Sequence, residues 1–190
     1  MNNSSANNAL IIIDYINEIA SPEGKLGALK GYAAYIQQFG VVAALNRLID
    51  RAERDGSLII FVNLGFDEAW LEQPKTSPIF GKAHEFGILQ RGTWSTEVLP
   101  AVHQPEGALH LCKQRVSAFY ATPLASILRL HGVKRVTLAG VATDLAVEAA
   151  ARDAHDRDFD VEIAAEACAA ASVEDHQRSL ETMAKFARVV

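Results

Sequence analysis

Five short runs of this chain are apolar with almost no polar alternation. They are ALIIID (residues 9–14), SLIIFVN (57–63), ALHLCK (108–113), VTLAG (136–140) and VEIAA (161–165). A strand exposed on one face alternates apolar and polar positions, so runs like these read as strands buried on both faces. Helical periodicity fills the intervals: residues 35–54, with Val42, Leu45, Leu48 and Ile49 on one face, then 123–131, 143–157 and 174–190. Strand and helix alternate throughout. That order predicts an α/β fold of three layers, α/β/α, with a central parallel sheet of Rossmann-like topology. A chain of 190 residues can bury one sizeable core, so residues 1–190 are expected to form a single domain.

DGS at 55–57, HGV at 131–133 and DRDFD at 156–160 supply turn chemistry where a helix hands over to the next strand. Residues 65–95 break the pattern, because they are too long and too rich in Gly, Pro and aromatics for an ordinary connection. This segment is expected to be a lid or an interface. A net charge of -5 gives no basic footprint for nucleic acid. The longest apolar run near the start, residues 9–13, is too short for a membrane span, and the polar MNNSSANN before it lacks the basic residues of an export signal. Two cysteines, Cys112 and Cys168, cannot build a disulfide framework. The expectation is a cytoplasmic protein whose partner is a small-molecule substrate, with no nucleic acid and no membrane.

Ligands of open parallel sheets bind beyond the carboxyl ends of the strands, so strand-terminal residues matter first. Asp14 ends the first run and Lys113 the third, while the fourth leads through a turn into a helix bearing Ala146 in its first turn. Taken singly, Asp14 is a cap and Lys113 a solvated strand end. Occurring together at the ends of buried strands, they point to a paired site.

LIIIDYIN, the KQRVSAF segment at 113–119 and GVATDLAVEAAARDAHDRDFDV at 140–161 resemble the three signature segments of the isochorismatase-like hydrolases, also called the cysteine hydrolase superfamily. The resemblance covers nearly the whole chain. It implies a catalytic triad of Asp14, Lys113 and a cysteine in the first helical turn, where this chain has Ala146. It also implies an oxyanion hole of backbone N–H groups near Ala142 and Ala146, and a cis peptide between Val141 and Ala142. A helix start favours thiolate and holds an oxyanion, which is the physical logic of such a site. A methyl group cannot attack a carbonyl. Three readings remain open: a Cys-independent hydrolase of the vinyl-ether type with Asp14 as general acid, an amidohydrolase whose nucleophilic cysteine is replaced by Ala146, and a small-molecule-binding pseudoenzyme.

Neither cysteine is expected to substitute, since Cys112 lies beside Lys113 on a strand and points to its other side, and Cys168 has no electropositive setting. The resemblance also raises the Asp-x-His-x-x-His metal site of nicotinamidases, but NLGFDEAWLEQP contains no histidine, so neither a metal nor another cofactor is expected. Trp94 in RGTWS, Phe119 and Arg115 are the expected substrate-pocket residues, with Arg91 as a further carboxylate partner. A flavodoxin-like binding domain is the competing class, but no phosphate-binding glycine motif is present. The apolar lid, together with the resemblance, suggests a homo-oligomer.

Overall fold

The computed structural model describes residues 7–190; the first six residues of the polar N-terminal stretch lie outside the described residues. Six parallel strands form one sheet: β1 (Asn8–Ile13), β2 (Leu58–Leu64), β3 (Leu109–Lys113), β4 (Arg135–Val141), β5 (Asp160–Ala169) and β6 (Arg188–Val189), in the spatial order β3-β2-β1-β4-β5-β6. The helices are α1 (Asn17–Ala20), α2 (Lys25–Leu29), α3 (Tyr32–Gln38), α4 (Val41–Arg54), α5 (Ala83–Phe86), α6 (Leu124–Leu130), α7 (Glu148–His155) and α8 (Val173–Met183). The expected α/β class with a parallel central sheet is the observed one.

The doubly buried character expected of the runs is seen in the central strands, whereas β3 lies at the edge of the sheet, half-buried with His110 exposed. In β1, Leu10 and Ile12 belong to one apolar cluster with Leu45 and Ile49 of α4, whereas Ile11 and Ile13 belong to another with Leu124, Leu128 and Ala150 of α6 and α7. Side chains alternate across a strand, so each face of the sheet carries its own helical layer.

Several boundaries differ from expectation. The helix expected over 35–54 is two helices, because Gly40 takes a left-handed φ of 63° and starts α4 in a new direction. The expected C-terminal helix stops at Met183, and Arg188 and Val189 return to the sheet as β6 beside Glu162 and Ile163. β5 runs on to Ala169 past an irregularity in its pairing with β4. The 65–95 segment folds back on its own domain: Phe66, Trp70, Phe80, Ile88 and Leu89 are buried in the α4-side cluster. Gln73 Nε2 donates to the Phe80 carbonyl at 2.6 Å and Trp70 Nε1 to that of Ile88 at 3.2 Å, which ties the segment internally.

Candidate active site

Asp14 follows the last residue of β1 and turns sharply, with φ 58°, a left-handed conformation that Asp tolerates better than most residues. Lys113 is the last residue of β3, two strands away and paired in register with Leu64 of the intervening β2. The register brings the two side chains across the end of β2. Lys113 Nζ lies 2.7 Å from Asp14 Oδ2, with both side chains almost fully buried. The other Asp14 oxygen, Oδ1, accepts the Leu64 N–H at 2.8 Å, and Lys113 Nζ also donates to the Arg115 carbonyl at 3.1 Å.

Two forces oppose each other at Asp14. Burial raises its pKa, the Lys113 ammonium and the Leu64 N–H lower it, and burial is the larger, so the carboxyl sits above its ordinary range.

After β4 the chain passes through a cis peptide between Val141 and Ala142. A single π-helical turn (Thr143–Val147) then leads into α7, with the Val147 N–H reaching back to the Ala142 carbonyl at 3.1 Å. Such turns recur at functional sites. Side chains of α8 fix this one: His176 Nδ1 lies 2.8 Å from the buried Thr143 hydroxyl, and Ser179 Oγ donates to the Thr143 carbonyl at 3.2 Å. Burial lowers the pKa of His176.

A cavity of about 430 Å³ opens over these groups. Asp14, Lys113, Ala142 and Ala146 all border it, so the structure brings the strand-end pair and Ala146 together at the carboxyl edge. Its remaining walls are mostly apolar, among them Ile19, Leu26, Phe80, Val116 and Leu145.

The three expected pocket residues do not border this cavity. Trp94 sits on a short 3-10 turn with its ring substantially exposed, and its carbonyl accepts a bond from Asn17 Nδ2. Phe119 is drawn into the opposite apolar cluster, under the Arg157 guanidinium and beside Phe159, and Val116 from the same segment faces the cavity instead. Arg115 contributes only its carbonyl to Lys113; its Nη1 donates to the carbonyls of Glu72 and Gln114. Arg91 is paired with Glu72 at 2.8 Å. Lys30 and Tyr32, which were not anticipated, do border the cavity. Their one sequence signal is LKGY, a charged and an aromatic residue flanking a glycine soon after the first strand.

Neither cysteine reaches the site. Cys168 is buried in β5, with its thiol pushed up to about 12 by burial. Cys112 faces a separate cavity beyond β3 that Arg91 and Asn63 also border; burial raises its pKa, against the neighbouring Arg91.

The stretch after β2 does not fit the Asp-x-His-x-x-His arrangement. It has no histidine, and the Asp67 carboxylate accepts the N–H groups of Ala69 and Glu72 while Glu72 holds Arg91. Among the described residues, the group of side chains close enough to share a metal ion is Asp50, Glu53 and His103, all exposed, and none borders the cavity. No helix of the described residues is long and apolar enough to cross a membrane.

Known structures repeat this architecture. An isochorismatase family protein from Desulfovibrio vulgaris superposes with a TM-score of 0.85 at 23% identity, covering 97% of this chain and 93% of that one, a likeness of fold. A pyrazinamidase/nicotinamidase from Streptococcus mutans is 26% identical, with a TM-score of 0.79 and coverage of 96% and 99%. A pyrazinamidase from Pyrococcus horikoshii is 28% identical, with a TM-score of 0.76 and coverage of 97% and 98%. Residues 8–190 match the isochorismatase domain, nearly the whole chain, and the protein belongs to that family of hydrolases.

Proposed function

We propose that this protein hydrolyses a small molecule without a protein nucleophile, with Asp14 as general acid acting on a vinyl ether. The observation that carries this reading is the set of titratable side chains around the cavity: Asp14, Lys113, Lys30 and Tyr32, with no thiol. Burial moves Asp14 toward its protonated form, the state a general acid needs. Asp14 gives its proton to the terminal carbon of the enol ether, and the double-bond electrons form the new C–H bond, leaving an oxocarbenium ion. The resulting carboxylate is held by Lys113 at 2.7 Å. Water adds to the cationic carbon and returns a proton to Asp14, and the hemiketal then breaks into an alcohol and a ketone. In this reading the backbone N–H groups of Ala142 and Ala146 hold oxygen of the substrate, and the methyl of Ala146 leaves space for the added water. In this reading the protein works in the cytoplasm as a homo-oligomer, and the exposed Leu29, Phe39 and Phe86 support the association.

The test is turnover of enol ethers of small carboxylic acids by the wild type and by Asp14→Asn. Expected is hydrolysis by the wild type and a loss of at least about 100-fold in the variant, the scale of a general acid. Equal rates in both would refute the assignment. Similarity to the pyrazinamidase/nicotinamidase favours one other reading, an amidohydrolase that lacks its nucleophile at Ala146. Amide hydrolysis appearing only in Ala146→Cys would support that instead.

A further inference from the structure

The charged side chains that border the cavity differ in their commitments. Asp14 and Lys113 are committed to each other and to backbone. Most of the other side chains bordering it are aliphatic or aromatic. Lys30 and Tyr32 also border it, and they come from one tight turn between α2 and α3.

That turn is built rather than loose. The Lys30 N–H closes α2 onto the Leu26 carbonyl at 2.9 Å, and Gly31 takes a left-handed φ of 82°. A Cβ at Gly31 would lie 3.1 Å from the carbonyl of Ala171, another residue of the cavity wall. The turn is therefore pressed against the carboxyl end of β5, and a side chain at position 31 would push it away. Gly31 lets the residues on either side of it border the same cavity.

Both of these side chains donate. Among the described residues, Lys30 Nζ makes no ion pair or hydrogen bond, and the Tyr32 hydroxyl makes no hydrogen bond. Burial, aided by Asp144 and Asp175, pushes Tyr32 up to about 12, so its hydroxyl stays protonated at neutral pH. An ammonium and a phenol hydroxyl bordering one cavity call for an acceptor that carries negative charge.

We propose that Lys30 and Tyr32 form the specificity end of the site, and that the substrate is a monocarboxylate with an apolar body, its carboxylate held by these two residues and its reacting bond beside Asp14. The proposal takes the location of the reacting end from the function proposed above. A carboxylate here would use the unpaired charge of Lys30 and leave the Asp14–Lys113 pair intact. The mostly apolar lining disfavours a second charge elsewhere in the cavity, since an unpaired ion there would lose its water without compensation.

Binding of a matched probe pair tests this apart from catalysis. Cyclohex-1-ene-1-carboxylate and its carboxamide have nearly the same shape, and only the first is charged at neutral pH. Titration calorimetry on the full chain at low salt should show the carboxylate binding about fivefold more tightly, the upper range for a pair with a largely exposed lysine. Lys30→Met keeps the apolar stem and should abolish the preference. Lys30→Arg should retain it, and Tyr32→Phe should reduce it. Equal binding of the two probes by the wild type, no carboxylate binding at millimolar concentration, or an undiminished preference in Lys30→Met would each overturn the proposal. None of these results depends on Asp14 acting as an acid, whose failure would appear instead as unaltered turnover in Asp14→Asn.

Discussion

Replacing Lys113 by Met removes one half of a buried ion pair and leaves Asp14 with the Leu64 N–H as its remaining partner. The folded protein then has two routes. It can keep an uncompensated buried carboxylate, at a cost of about 3–5 kcal/mol. Alternatively it can hold Asp14 protonated. Against an ordinary carboxyl near 3.9, protonation costs about 1.4 kcal/mol per pH unit, or roughly 4 kcal/mol at pH 7 and about 1.5 kcal/mol at pH 5. These figures are upper limits on the difference from wild type, because Asp14 is already shifted upward in the intact pair. The sign follows from linkage. A raised folded pKa means that the folded state binds more protons, so stability falls as pH rises from the unfolded pKa to the folded one. Lys113 lowers the Asp14 pKa, so its removal extends this falling window upward. Urea unfolding of wild type and Lys113→Met at pH 5, 6 and 7 should therefore show a stability gap that widens with pH, by up to about 1.4 kcal/mol per unit. A gap of the same size at all three pH values would refute the argument that burial of Asp14 is compensated by Lys113.

Three further outcomes are expected. Ala146→Cys should place a thiol beside Lys113 and the first helical turn, and alkylation followed by mass spectrometry at pH 7 should modify it well before Cys168, whose thiol is buried and raised to about 12. Gly140→Ala should destabilise the fold by about 1–3 kcal/mol in urea unfolding, because the added Cβ would fall 2.8 Å from both the Cβ and the carbonyl oxygen of Ile13 in β1. Sedimentation at micromolar concentration should report an oligomer that Phe86→Glu weakens, and a wild-type monomer would remove that part of the functional proposal.

By itself the sequence determined the first five strands, the α/β class and the strand-end positions of Asp14 and Lys113, but not β6. For Asp14 the reason is local: a strand buried on both faces must be a continuous apolar run, so the first polar residue after it marks the end of the strand. Resemblance to a family added Ala146 to that pair, and the register of β1, β2 and β3 is what brings the pair within 2.7 Å. What lines the cavity was decided by tertiary packing. Phe119 and Val116 belong to one short segment, yet the first is taken by the apolar cluster on the opposite face and the second borders the site. Arg115 and Trp94 are likewise diverted, one to backbone carbonyls and the other toward solvent. Lys30 and Tyr32 border the cavity from a turn whose Gly31 lies close to Ala171, 140 positions away in the chain. No local pattern encodes such a contact. The direction in which a loop side chain points is set by what its backbone rests on, and here that surface is assembled from strands distant in sequence.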